Sequence, residues 1–264
     1  MHLNHTKIIK EKSLYLHFVI NNAEMKGFSI WKVAVATVLA VLCLQGTAAA
    51  QKNLDPLEKD WANFRRYAEK NAQVKKRPVA VLMGDSITQN WAKFDTPWLE
   101  EHNFLGRGIS GQTSSEMLVR FRADVIALKP KYVQILAGIN DIACNNGRIK
   151  VENTFGNIVS MVELAQLHGI KPIMCTTTPA KEFGWRKGFP DPRPSIDSLN
   201  TMISAYAKKH KILLVDYYNA LKDDEGGLDK KYQGDAVHPA IAGYKVMEAL
   251  LLETIEKDKR HSKK

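Results

Sequence analysis

Residues 78–94 read PVAVLMGDSITQNWAKF, and their pattern sets the fold. Pro78 opens a short apolar run, Val79–Met83, that stops at Gly84, as a strand buried on both faces does. Asp85 and Ser86 follow at a strand-to-helix turn, and Ile87 and Trp91 then fall at helical spacing. The same unit recurs outward along the chain. Extended segments are predicted near Asn103–Ile109, over Lys131–Ala137, Pro172–Thr177 and Ile212–Val215. Between them lie helical patterns: one opened by the capping box Thr113-Ser-Ser-Glu116, one around 153–168 closing at Gly169, and one near 195–209. Upstream, Leu57, Trp61, Phe64 and Ala68 predict an amphipathic helix over 55–74, and a last helix is expected to start at Pro239. Strands alternating with helices imply an α/β fold with a parallel sheet of about five strands covered on both faces.

Composition agrees with one such domain. The chain has 264 residues, 45% hydrophobic and 25% charged. No apolar run reaches the roughly 18 residues of a membrane-spanning helix. The first fifty residues stand apart. From Met25, Lys26 and Lys32 precede a mostly apolar run from Val33 to Leu44, and Ala48-Ala49-Ala50 supplies small residues before Gln51. These are the three regions of a secretory signal peptide, cleaved near Ala50. The expected division is therefore an N-terminal extension and signal over 1–50 and a single folded domain with a basic tail over 51–264. Translation from Met1 and from Met25 both fit, and the product is expected to be periplasmic or secreted. Lipid attachment is not expected, since Leu42, not a small residue, precedes Cys43.

The net charge of +10 is unevenly spread. Residues 1–50 hold five Lys/Arg against two Asp/Glu, and the last eight hold five against one, so the body between carries only about +3. Basicity confined to an extension and a tail is no nucleic-acid face, and no nucleic-acid partner is expected. Past the signal, Cys144 and Cys175 can pair in an oxidising compartment or remain free thiols.

In parallel sheets, sites gather at the carboxyl ends of the strands. Four clusters fall there: Gly84-Asp85-Ser86, Gly108-Ile109-Ser110-Gly111, Gly138-Ile139-Asn140-Asp141, and Asp235-Ala236-Val237-His238-Pro239. A serine hydroxyl becomes nucleophilic when an imidazole takes its proton. Ser86 is the candidate nucleophile and His238 the candidate base, placed at the cap of the last helix by Pro239. Asp235 is the candidate partner for the other ring nitrogen. The Ser86 amide, the Gly111 amide and the Asn140 side chain are candidate donors to an oxyanion. Taken singly, each cluster is ordinary turn chemistry. Their joint occurrence at strand ends favours an acyl-transfer site.

One competitor is Gly106-Arg107-Gly108-Ile109-Ser110-Gly111, a literal G-x-G-x-x-G after a strand. A dinucleotide fold wants an acid about 20 residues on, but position 131 is Lys, and the motif sits on the second βα unit instead of the first. A non-catalytic ligand- or dinucleotide-binding protein is thus the alternative from another class.

The blocks resemble the SGNH (GDSL) hydrolase superfamily: Ser86 in VLMGDSIT, Gly111 in GISGQT, Asn140 in AGIND, and Asp235 and His238 in DAVHP. The resemblance spans about 78–252 and looks closest to platelet-activating-factor-acetylhydrolase-like bacterial esterases. It departs where Ala137-Gly138-Ile139 stands in place of the commoner Gly-Thr-Asn or Gly-Gly-Asn. It implies a flavodoxin-like three-layer fold and a serine esterase needing no metal or cofactor, with Ser86, Asp235 and His238 catalytic and Ser86, Gly111 and Asn140 as oxyanion hole. The segment 179–195, PAKEFGWRKGFPDPRPS, is a long loop of the kind that carries function. Trp185 and Arg186 are its candidate substrate contacts, for an aromatic face and an anionic group. The expected reaction is hydrolysis of a short acyl ester, acetyl first, on a small molecule or oligosaccharide. A lysophospholipase or thioesterase using the same residues is the alternative.

Overall fold

The computed structural model describes residues 60–261; the expected signal segment lies outside the described residues. Helices and strands alternate along the chain. Helix α1 (Arg65–Ala72) leads to β1 (Ala80–Gly84), α2 (Ser86–Phe94), α3 (Thr96–Glu101) and β2 (Phe104–Gly108). Next come α4 (Ser114–Asp124), β3 (Tyr132–Ile135), α5 (Ile139–Ile142), α6 (Val151–Leu167) and β4 (Lys171–Cys175). The chain continues through α7 (Arg193–His210), β5 (Leu213–Val215), α8 (Tyr217–Leu221) and α9 (Ile241–His261).

All four strand pairings are parallel, in the order β2-β1-β3-β4-β5. The chain runs from β1 outward to β2 and then returns past β1 to β3, so the order reverses between β1 and β3. That reversal opens a crevice at the carboxyl ends of these strands. Register brings the crevice residues level: Gly84 faces Gly108 across β1–β2, and Met83 faces Ile135 across β1–β3. The flavodoxin-like three-layer α/β expectation matches this sheet. Helices α4, α6 and α7 pack against one another as one layer. Helices α2, α8 and α9 meet around Trp91, which is fully buried against Tyr217 and Tyr244 and donates its indole N–H to Glu248 at 3.2 Å. Trp91 is therefore a core residue. Every residue of β1 and β3 is buried, which is why these strands read as near-continuous apolar runs, Gln134 being the polar exception in β3.

Two expected boundaries are corrected. The helix predicted over 55–74 begins only at Arg65 within the described residues. The Asp60 carboxylate takes the Phe64 and Arg65 amides at 2.9 and 2.8 Å, and Asn63 adopts a left-handed φ of +59°. Trp61 and Phe64, expected on a buried face, are 51% and 43% exposed. The last helix starts at Ile241, not Pro239. Pro239 instead bridges Gln233, and the Ala240 amide bonds the Tyr232 carbonyl at 2.6 Å, closing a tight loop ahead of the helix.

Candidate active site

Ser86 begins α2 directly behind β1. Asp85 caps this helix by accepting the Ile87 amide at 2.9 Å. Gly84 supplies room for the turn, because a Cβ there would run into the Thr88 side chain. Gly108, level with it on β2, gives the same service: a Cβ would collide with the Asp85–Gln89 backbone.

His238 reaches Ser86 across 152 residues of sequence, with Nε2 2.9 Å from the Ser86 Oγ. Its Nδ1 faces Asp235 Oδ2 at 2.8 Å. The other Asp235 oxygen accepts the Val237 and His238 amides, both at 2.8 Å. The His238 carbonyl in turn accepts the Gly234 amide at 2.7 Å. His238 is thus held by its own closed turn, and the helix-cap role expected of it is replaced by these bonds. Partial burial acts to raise the Asp235 pKa, but the two amide bonds and the imidazole outweigh it and hold the carboxyl below its ordinary range. A carboxylate kept ionised beside Nδ1 favours the tautomer with Nδ1 protonated, leaving the Nε2 lone pair toward Ser86.

The candidate oxyanion donors lie on the neighbouring strand ends. Gly111 turns the chain after β2 with φ +80°, a left-handed conformation that side-chain-bearing residues rarely adopt. No atom lies within 4 Å of where its Cβ would be, so that face is open. Asn140 sits on α5, entered through Gly138 at φ +117°. Its Nδ2 donates to the Gln112 carbonyl at 3.0 Å, which brings the Asn140 and Gly111 blocks side by side. Asp141 fastens the same junction: its carboxylate accepts the Ser114 amide at 2.9 Å and the Ser114 and Thr154 hydroxyls. Burial raises the Asp141 pKa, and the Ser114 bonds act against it.

Beneath the rim lies a charged support that no motif announced. Arg120 is fully buried, and its guanidinium donates to the Gly84 carbonyl at 3.0 Å, Gln112 Oε1 at 2.6 Å and Asp124 at 2.9 Å. Gln112 Nε2 continues to the Ala62 carbonyl at 2.8 Å. The one signal in the sequence is a charge on an apolar helix face, since Arg120 falls between Met117 and Phe121, both buried.

Trp185 and Arg186 stand on the loop between β4 and α7. Phe183 is 3% exposed and pins this loop to the core, with the Trp185 ring 5.2 Å away. Trp185 is 47% exposed, and its ring centroid lies 6.4 Å from that of His238. Arg186 is exposed, and its Nη2 donates to the Cys144 carbonyl at 2.7 Å, tying the loop to that turn with one of its five N–H groups. Cys144 and Cys175 are both free thiols, Cys175 buried. Ser86 itself lines a cleft of about 530 Å³, with Asn90, Phe94, Ser110, His238 and Ile241 among others. Phe94 and Ile241 are 52% and 62% exposed there. A hydroxyl, an imidazole and a carboxylate in line, beside amide donors and an open cleft, are equipped for nucleophilic acyl transfer.

Comparison with known proteins agrees. The profile of the GDSL-like lipase/acylhydrolase family matches residues 82–246. A GDSL-like lipase of Bacteroides thetaiotaomicron is 45% identical, with a TM-score of 0.72, and the match covers 75% of this chain and 98% of that one. An uncharacterized lipoprotein of Bacillus subtilis, YqeF, is 37% identical over 119 residues, 39% of this chain and 49% of its own length. The chain thus spans about half of that relative. An acetylxylan esterase of Geobacillus stearothermophilus is 26% identical over 155 residues, 57% of this chain and 71% of that protein. The chain belongs to the GDSL-like lipase/acylhydrolase family and is a serine ester hydrolase.

Proposed function

We propose that this protein is an exported esterase that removes short acyl groups, acetyl first, from carbohydrate through an acyl-enzyme. Ser86 is the nucleophile, His238 the base and then the acid, and Asp235 the group that orients the imidazole and stabilises its charge. The tetrahedral oxyanion is met by the Ser86 and Gly111 amides and by Asn140. The observation that carries this reading is the line Ser86 Oγ to His238 Nε2 to Asp235, at 2.9 and 2.8 Å. Support for a carbohydrate comes from the exposed Trp185 face beside His238 and from the acetylxylan esterase relative. No helix among the described residues is long and apolar enough to cross a membrane, and export rests on the residues before Gln51.

The exposed pair Phe94 and Ile241 in the cleft favours a second reading, a lysophospholipase or thioesterase that lays a longer acyl chain there. Fluorophosphonate labelling of Ser86, followed by a screen of acetylated sugars against longer acyl esters, tests both. An unlabelled serine would remove the mechanism, and a preference for long chains would move the substrate to the second reading.

A further inference from the structure

Asn145 lies in the turn that follows α5, half-buried, and uses both ends of its side chain. Its Nδ2 donates to Asn140 Oδ1 at 2.7 Å, and its Oδ1 accepts the Trp185 indole N–H at 3.0 Å. The direction of each bond is fixed by chemistry. An indole nitrogen only donates, so the Asn145 oxygen must face Trp185 and its nitrogen must face Asn140. Asn140 must then present its oxygen to Asn145. Its nitrogen meets the Gln112 carbonyl, a pure acceptor, with one of its two hydrogens. A flipped Asn140 amide would set oxygen against the Gln112 oxygen and nitrogen against the Asn145 nitrogen, losing both bonds. The second Asn140 hydrogen is left to point elsewhere.

The same turn is held to the Trp185 loop a second time, by Arg186 on the Cys144 carbonyl at 2.7 Å. Cys144 itself sits at a left-handed φ of +55°. The turn at 144–145 is therefore the junction between the loop that carries the exposed indole and the side chain at the end of β3.

We infer that Asn145 is a positioning residue: it sets the orientation in which Asn140 presents its second N–H, and it couples that orientation to Trp185. The inference rests on the reading of Asn140 as an oxyanion donor. A positioning role of this kind acts on a charge present only in the transition state, so it moves kcat and spares KM.

The test uses the whole chain and p-nitrophenyl acetate, a substrate too small to need the Trp185 face. Asn140→Ala should lower kcat by about 10²–10³. Asn145→Asp keeps the acceptor for Trp185 but turns a carboxylate oxygen toward Asn140 Oδ1, and should lower kcat by about tenfold to a hundredfold with KM unchanged within about twofold. In the Asn140→Ala background the same change should cost less than about twofold, because the residue it acts through is gone. Trp185→Phe keeps an aromatic ring but removes the indole donor, and should lower kcat by about two- to fivefold. Should Asn145→Asp not fold, Asn145→Ala carries the same contrast. Independent, multiplying losses in the double variant would overturn the inference, as would an Asn145 effect confined to KM. Wild-type kcat in Asn140→Ala would remove the oxyanion reading itself, which separates the two failures.

Discussion

Asp235 holds His238 twice, once at the backbone amide and once at ring Nδ1, each at 2.8 Å. One carboxylate therefore fixes both where the imidazole hangs and which nitrogen carries the proton. Asp235→Asn can keep the first bond but presents an amide to Nδ1, inviting the wrong tautomer. It should lower kcat by about 10⁴, by analogy with the serine-protease triad. Ser86→Ala or His238→Ala should cost about 10⁵–10⁶, and combining them should cost little more, since the members act as a unit. Because the Asp235 carboxyl is held below its ordinary range, it stays ionised as pH falls toward 5. Its orienting effect is present above that range and is lost only as pH drops through its lowered pKa. Steady-state kinetics from pH 5 to 9 check all three variants; wild-type turnover in Ser86→Ala would end the mechanism.

Asp85 carries the opposite sign. It is buried behind Ser86, and desolvation pushes its pKa from 3.8 up to about 6, against the bond from the Ile87 amide. The folded protein binds this proton more readily than the unfolded chain does. The stability it contributes is thus full below about pH 4 and lost as pH rises through about 6. Asp85→Asn stays neutral at every pH and can still accept the Ile87 amide. The variant should be the more stable protein at pH 8, by roughly 3 kcal/mol, the free-energy equivalent of the raised carboxyl pKa, with the gap narrowing toward pH 4.5. Urea unfolding at the two pH values reads this directly. A variant less stable than wild type at pH 8 would show that the ionised carboxylate is a net asset.

If the segment before Gln51 is a signal peptide, export in a bacterial host should leave Gln51 as the first residue. Intact-mass and N-terminal peptide analysis of the exported protein decide it. A retained Met1 or Met25 start would refute processing at Ala50.

The strands and the four blocks are legible because both leave linear marks. A strand buried on two faces is a near-continuous apolar run, and the first three blocks follow their strands within a few residues. Asp235 and His238 come after β5 and α8 and are marked by their own short motif. Where local side chains compete with periodicity, the pattern misleads. Asp60 and the left-handed Asn63 delay α1 although Trp61 and Phe64 keep helical spacing, and the Gln233–Pro239 bridge delays α9 although proline suits a helix start. The supports of the site leave little mark beyond the charge of Arg120 on an apolar helix face. Arg120 meets Gly84 across 36 residues, Asn140 meets Gln112 across 28, and Trp185 meets Asn145 across 40. Bonds between polar groups so far apart have no period, and only the fold brings them together. Arg186 adds a bond of the same kind, from its Nη2 to the Cys144 carbonyl across 42 residues.

Specificity turns on two features beside Ser86 and His238, the Trp185 face and the cleft. Trp185 offers an exposed face that cannot swing freely, since Phe183 packs beneath the loop and Asn145 takes the indole N–H. Such a face suits a sugar ring, with stacking worth about 0.5–1.5 kcal/mol. The cleft that Ser86 lines also exposes Phe94 and Ile241. Trp185→Ala should raise KM for acetylated xylose by about two- to tenfold, and for p-nitrophenyl acetate by much less. Any fall in kcat shared by both substrates belongs to the Asn145 bond; the difference in KM belongs to the face. Acetyl esters should outrun octanoyl esters, because an open rim leaves the outer methylenes in water and forgoes up to about 0.8 kcal/mol of burial for each. The octanoyl ester is the arm that can reverse this. If it reacts faster in the wild type, and Phe94→Ala removes the advantage while Trp185→Ala does not, the cleft binds the acyl chain and the deacetylase reading gives way to the lysophospholipase or thioesterase one.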